Sequence, residues 1–335
     1  MKLQLFNGAA LAVILALATW GATRSSESQE PRGTVVVASP LPGIPETLVD
    51  VRGQTVKTGD YQRIVSLNSV ADPILLELIE PNRLVGVSEY SRSQHPEGFR
   101  FADRPALARA DDLEAILALK PDLVLASKFA DEAFMARIRE GGTPVFDLGE
   151  MRGVGSTVLT IRILGQLVRQ PARAAHVESD YLLRLAALDA SVPDEAEVPG
   201  LYLSIYGDSL FGGTSGTSYA DMLHYAGIHD VAAEHGYTEW PKFSPEQLLA
   251  IDPPLVVTQS GMATLLCTHS TLRDLACCQQ GGRVIEVPGK YHSDPGLGLV
   301  AAATAVQQLV HPERTPTAPE RAPSVQHLVE HGAFP

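Results

Sequence analysis

The sequence predicts an α/β fold of two doubly wound lobes with a ligand cleft between them, and three observations carry that prediction. A fourteen-residue segment, Glu114–Ser127 (EAILALKPDLVLAS), recurs 132 positions later as Glu246–Gln259 (EQLLAIDPPLVVTQ), with six identities and three aliphatic exchanges. Strand and helix patterns alternate from Arg63 to Leu148, which argues for a mostly parallel sheet. A long helical stretch then separates the two copies of the repeat. Two copies of one unit imply two similar lobes, and ligands usually sit in clefts at such interfaces.

Each element follows from a local pattern. Leu48–Lys57 alternates about Arg52-Gly53 and reads as a hairpin. Arg63–Leu67 is a short buried strand, followed by a helix through Ile79. Leu84–Val87 is the next strand and runs into a loop, Ser88–His95. Each repeat copy opens on a cap: Asp111 with Glu114, and Ser244 with Pro245 and Gln247. Each helix ends at a proline, Pro121 or Pro253, which cannot continue it, and an aliphatic strand follows. Phe134–Arg139 reads as helix and Thr143–Leu148 as strand. Apolar spacing makes Ser156–Val168 helical, and Pro171 opens a second helix, Ala172–Leu188. At 1.5 Å per residue that helix is about 27 Å long, enough to cross from one lobe to the other. The second half begins with strand Leu201–Ile205, then a glycine-rich loop, Gly207–Gly216, and helix Asp221–Ala226. After the second repeat copy come strand Arg283–Val287 and helix Leu299–Val310.

The net charge of −13 and the lack of any basic run argue against nucleic-acid binding. Met1-Lys2, the apolar stretch Ala9–Trp20 and the small residues that end it form a secretory signal layout, with cleavage after Gly21 or Ala22. An uncleaved anchor is the alternative. The predicted organisation is a signal peptide (1–22), a flexible tether (23–47), a first α/β lobe (48–152), a helical connection (153–192), a second α/β lobe (193–312) and a Pro-rich tail (313–335). In an oxidising compartment Cys267 pairs with Cys277 or Cys278, leaving one thiol over.

The stretches LVDVRGQTVKTGDYQRIVSLNSVADPILLELI, NRLVGVS, the LKPDLVL segment, GGTSGTSYADMLHYAGI, and FSPEQLLAIDPPLVVT followed by GRVIEVPG lie in order across Leu48–Leu309. With them the chain resembles the periplasmic substrate-binding proteins of ABC importers for ferric siderophores, haem and cobalamin. The resemblance implies two lobes joined by one long rigid helix (here Ala172–Leu188), a ligand held between the lobes, and delivery to a membrane permease. The implied ligand is a small metal chelate, with a ferric siderophore first, haem next and cobalamin third. It also implies a periplasmic, monomeric protein with no cofactor of its own. Docking in that family uses an acidic residue on each lobe. The first-lobe glutamate falls on Pro73 here, so Asp72 or Glu77 substitutes for it, and Asp221 is the counterpart on the second lobe.

Loops that follow strand C-termini face the ligand in open α/β sheets. From the first half that rule selects Asn68, Tyr90 and Arg92 with His95, Lys128 with Phe129, and Arg152 with Met151. From the second it selects Tyr206, Thr214 with Ser215 and Tyr219, Trp240, Gln259 with Ser260, and Tyr291 with His292. Aromatic faces with a few cations suit a flat or chelate-like ligand carrying negative charge, with Arg and Lys to hold carboxylates or a phosphate. No direct metal site is expected, except that Tyr90 or His292 becomes an axial ligand if the guest is haem. No HExxH pair occurs. Gly213-Thr-Ser-Gly216 lacks the strand a nucleophile elbow needs, and Gly296–Ala301 lacks the βαβ unit of a dinucleotide site. An enzyme is therefore not expected. The alternatives are a two-lobed secreted hydrolase using Ser215 with His292, and a membrane-anchored sensor without transport.

Overall fold

The computed structural model describes residues 43–314 except 96, 108–111, 128–129, 208 and 293–295. The predicted signal peptide, most of the tether and the tail beyond 314 lie outside the described residues. So does the Asp111 cap.

The described residues open on an antiparallel hairpin, β1 (Thr47–Val49) with β2 (Thr55–Lys57), and Gly53 takes a φ of 80° in its turn. The hairpin is fastened to the following sheet from one side. Arg52 donates to the buried Asp147 carboxylate and to the Ala130 carbonyl, while the Asp50 carboxylate accepts from the Asp147 amide.

The first half then runs β3 (Ile64–Ser66), α1 (Ala71–Leu78), β4 (Leu84–Ser88), α2 (Glu89–Ser93), β5 (Ala106–Leu107), α3 (Leu113–Ala118), β6 (Leu123–Ala126), α4 (Glu132–Glu140) and β7 (Val145–Asp147). The strands form a five-stranded sheet, β5-β4-β3-β6-β7, with every pair parallel. Strands β3, β6 and β7 are buried at every position, as expected when helices cover both faces. The order reverses between β3 and β6. That switch point places the loops after those two strands at one end of the sheet.

Two helices follow, α5 (Val154–Leu167) and α6 (Pro171–Asp189). They approach closely at Gly165, where a Cβ would lie 2.3 Å from that of Ala174. Helix α6 buries Ala174, Val177, Tyr181, Leu185 and Leu188, one stripe at helical spacing. Each large apolar side chain so buried is worth about 1.5–3 kcal/mol, far more than any propensity difference along the helix. The stripe therefore fixes how α6 lies. Gln307 donates to the carbonyls of Leu188 and Tyr225, tying the end of α6 to elements of the second half.

The second half comprises β8 (Val198–Tyr206), β9 (Ser209–Gly212), α7 (Ser218–Tyr225), β10 (Ile228–Asp230), α8 (Val231–Glu234), β11 (Lys242–Phe243), α9 (Pro245–Ile251), β12 (Leu255–Gln259), α10 (Met262–Thr268), β13 (Arg283–Val287), α11 (Gly289–His292) and α12 (Leu299–Val310). Its sheet runs β11-β9-β8-β12-β13, with β10 also paired to β8. Strands β10, β12 and β13 join it in parallel, whereas β9 and β11 form an antiparallel edge. Here the strand order turns between β8 and β12.

Both repeat copies form the expected helix and strand, but their caps differ. Asp112 caps α3 by accepting from the Ala115 amide, and the helix begins at Leu113. At α9 the Ser244–Gln247 capping box is complete in both directions. Two expected loops contain regular structure. Ser88–His95 holds α2, nucleated by the Ser88 hydroxyl accepting from the Ser91 amide. Gly207–Gly216 holds β9, paired on both sides. Cys267 is bonded to Cys278, and Cys277 is the buried free thiol. Among the described residues no helix is long and apolar enough to cross a membrane.

Candidate ligand-binding site

The second half contributes a connected aromatic and amide group. Tyr206 ends β8, 60 % exposed despite its size, and Gln259 ends the neighbouring β12. The Gln259 amide donates to the Tyr206 hydroxyl at 3.0 Å and to the Ser204 hydroxyl at 2.9 Å. The two residues flank the place where the strand order turns. Behind them Tyr219 stacks on Tyr202, with centroids 3.9 Å apart and planes within 4°. Tyr219 lies so close to Gly213 that no Cβ fits there. Burial, then the proximity of Tyr206 and Tyr90, raises the Tyr219 phenol above its ordinary value.

A second group joins the two halves. Arg152 follows β7, and Glu239 and Trp240 precede β11. The Arg152 Nη1 donates to Glu239 at 2.6 Å, its Nε and Nη2 donate to Glu150 at 3.1 and 2.9 Å, and its guanidinium lies 5.2 Å from the Trp240 ring centroid. Both glutamates raise the Arg152 pKa further, the Glu239 hydrogen bond most. Glu239 is in the left-handed region, φ 59°, at a cost of about 1–2 kcal/mol for a residue with a Cβ. Two backbone bonds hold it there: Thr214 N–H to the Glu239 carbonyl, and Glu239 N–H to the Ser215 carbonyl.

On the first half, Asn68 lies buried at the switch point after β3. Its Oδ1 accepts from the amides of Val70 and Ala71, and its buried Nδ2 has no partner. Tyr90 and Arg92 ride on α2, with Arg92 paired to Glu89 at 3.5 Å.

The remaining expected residues divide by what holds them. The Thr214 hydroxyl is buried and donates to Asp230, so it supports the loop. Tyr291, on α11, packs against the core of the second sheet with Lys290 over its ring. Lys128 lies outside the described residues, as does the side chain of His292. A recess of about 280 Å³ lined by Gln54, Thr55, Val56, Arg139 and Gly142–Val145 includes none of the expected residues. Among the described residues no cluster of three or more His, Cys, Asp or Glu is placed to hold a metal ion.

All three acidic docking candidates are engaged inside the fold. Asp72 is fully buried, and its carboxylate accepts from the Ser88 amide and from the Ser88 and Ser91 hydroxyls. Burial pushes its pKa up to about 6, against the opposing effect of those serines. Asp72 therefore anchors α2 and presents nothing to a partner. Glu77 is largely buried against Arg100 at 2.8 Å. Asp221 accepts from the Val154 amide at 2.7 Å, capping α5, and burial raises its pKa. The sequence reading missed Glu239 and Glu150 as partners of Arg152. The only signal was their position beside Trp240 and two residues before Arg152.

The model of one protein family, described as periplasmic binding protein, matches residues 64–271. The chain belongs to that family. Family membership makes it an extracytoplasmic solute-binding protein rather than an enzyme, with a small-molecule ligand and an ABC permease as its partners. It is similar to a cobalamin-binding protein of Halobacterium salinarum, 28% identical over 264 residues, covering 78% of this chain and 71% of the relative. It is also similar to a vitamin B12-binding protein of Salmonella typhimurium, 26% identical over 194 residues, covering 54% of this chain and 67% of the relative. Among solved structures, a periplasmic heme-binding protein from Roseiflexus sp. RS-1 in apo form superposes with TM-score 0.64 at 23% identity, covering 75% and 98% of the two chains. One from Pseudomonas aeruginosa superposes with TM-score 0.63 at 22% identity, covering 76% and 94%. At such identities these two structures establish the fold alone.

Proposed function

We propose that this periplasmic binding protein captures a corrinoid of the cobalamin class between its two halves, acting as lobes, and delivers it to an ABC importer. One observation carries the choice of ligand. Both described arginines of the candidate site are already neutralised, Arg92 by Glu89 and Arg152 by Glu150 and Glu239, while Tyr206 and Trp240 expose aromatic faces. A cobalamin is a broad macrocycle rimmed by neutral amides. Such a ligand gains from aromatic area and from donors and acceptors such as the Tyr206 hydroxyl and the Gln259 amide. Haem brings two carboxylates and many ferric siderophores are anionic, so each would have to separate an existing ion pair before gaining a cation. The ranking therefore reverses the sequence-based one, which placed a ferric siderophore first. The cobalamin-binding relatives support the same order.

In this reading Tyr206, Gln259 and Trp240 contact the ligand from the second lobe, and Asn68, Tyr90 and Arg152 from the first. Isothermal titration of the purified protein with cyanocobalamin, hemin and a ferric trihydroxamate tests the proposal. Cyanocobalamin is expected to bind 1:1 and most tightly. Tighter binding of either iron chelate, or no heat with cyanocobalamin, overturns the assignment.

A further inference from the structure

We propose that Glu239 is a specificity-determining residue: its carboxylate occupies Arg152 and turns away ligands that carry a carboxylate at this corner of the site. The inference rests on the reading that Arg152 and Trp240 face the ligand.

The geometry separates the roles of the two glutamates. Glu150 lies on the same strand-to-helix connection as Arg152, takes the Nε and Nη2 edge of the guanidinium, and is mostly buried, with 19% of its side chain exposed. Glu239 reaches across from the other half, takes Nη1, and keeps 57% of its side chain exposed. With one face of the guanidinium over Trp240 and one edge held by Glu150, Nη1 is the position an incoming anion would compete for. Glu239 is also held in place rather than free to wander. Its left-handed backbone is clamped between Thr214 and Ser215, so the carboxylate is presented from a fixed point.

Two carboxylates around one guanidinium leave this corner with a net charge of −1. A ligand carboxylate meets repulsion first and reaches the cation only by displacing Glu239. A neutral amide meets no such penalty and can accept or donate beside the intact pair. Because the pair is half-exposed, its grip is modest, and the discrimination expected is a few-fold rather than absolute.

The test compares hemin with hemin dimethyl ester, which has the same macrocycle but capped carboxylates, alongside cyanocobalamin. Binding is followed through the fluorescence of Trp240, the only tryptophan after Trp20. In Glu239→Gln the affinity ratio of hemin to its diester is expected to rise about threefold or more, and the gain to shrink in high salt. The gain is expected to vanish when Arg152→Gln is added. Should Glu239→Gln fail to fold, the unaltered protein still decides the matter: raising the salt must narrow its preference for the diester. An unchanged ratio in the variant, or a salt-independent preference in the unaltered protein, overturns the inference. If cyanocobalamin binds but the ratio does not move, the specificity role falls alone. If no corrinoid or porphyrin binds either protein, the proposed function falls and takes this inference with it.

Discussion

The two halves of the molecule share a repeated helix–Pro–strand unit, yet they position their candidate site residues by different physical means. In the first half the sheet is parallel throughout, and α2, which carries Tyr90 and Arg92, hangs from the buried Asp72 carboxylate through Ser88 and Ser91. In the second half an antiparallel edge, β9 and β11, is added to the parallel core, and the segment ahead of β11 delivers Glu239 and Trp240. A disulfide, Cys267–Cys278, braces that half only. The duplicated unit thus supplies a scaffold, and the candidate site is built from what each half adds to it. One addition depends on a titratable group and the other on backbone ties.

The sharpest way to expose that difference is pH. The folded pKa of Asp72, about 6, lies above the ordinary carboxylate value, so the native state holds this proton more tightly than the unfolded chain does. Its contribution to stability is complete below about pH 4 and is lost as the pH rises through about 6. Asp72→Asn is neutral at every pH. Between pH 4 and pH 7 the stability of this variant relative to the unaltered protein is expected to improve by up to about 3 kcal/mol, read from denaturant midpoints. A stability difference that stays flat across that range would contradict the account of the first half.

Next in size is the brace of the second half. Its cysteines are 11 positions apart, and removing such a cross-link with Cys267→Ser and Cys278→Ser is expected to lower stability by about 2–3 kcal/mol. Hydrogen exchange should show the loss in β12, α10 and β13 while β3 and β6 keep their protection. Equal loss in both sheets would mean that the halves do not differ as described. The smallest effect comes from the feature they share. Ser244→Ala and Asp112→Ala each remove a helix cap worth about 1 kcal/mol. The Ser244 change should cost less, because the Gln247 side chain still accepts from the backbone amide of position 244. Equal or reversed thermal shifts would remove this distinction between the copies.

Much of the scaffold was legible because it rests on local rules. Pro121 and Pro253 mark helix ends, the aliphatic runs behind them mark buried strands, and Pro171 marks the start of the long α6. What was not legible depends on tertiary contacts. Gly212 and Gly213 read as loop, but a side chain at either would collide with Phe243 or Tyr219, and that packing is what permits β9 there. Asp72 resembled a surface acid only until Ser88 and Ser91 closed over it. The rule that loops after strand ends face the ligand named Asn68, Tyr206 and Gln259 as candidates, and each lies at or just after the end of a strand where its sheet order turns. It gave no hint that Arg152 meets a glutamate 87 residues away, because charge pairing of that kind exists only once the halves are folded together.

The central claim is that exposed aromatic faces and neutral polar groups, rather than a bare cation, receive the guest. It is tested most directly by mixing the protein with excess cyanocobalamin, removing free ligand by gel filtration and reading the corrinoid absorbance that travels with the protein. An equimolar amount is expected for the unaltered chain. Tyr206→Ala and Trp240→Ala, each folded by circular dichroism, are expected to weaken binding by about tenfold or more. Corrinoid left behind on the column by the unaltered protein, or carried equally well by both aromatic variants, would contradict the account.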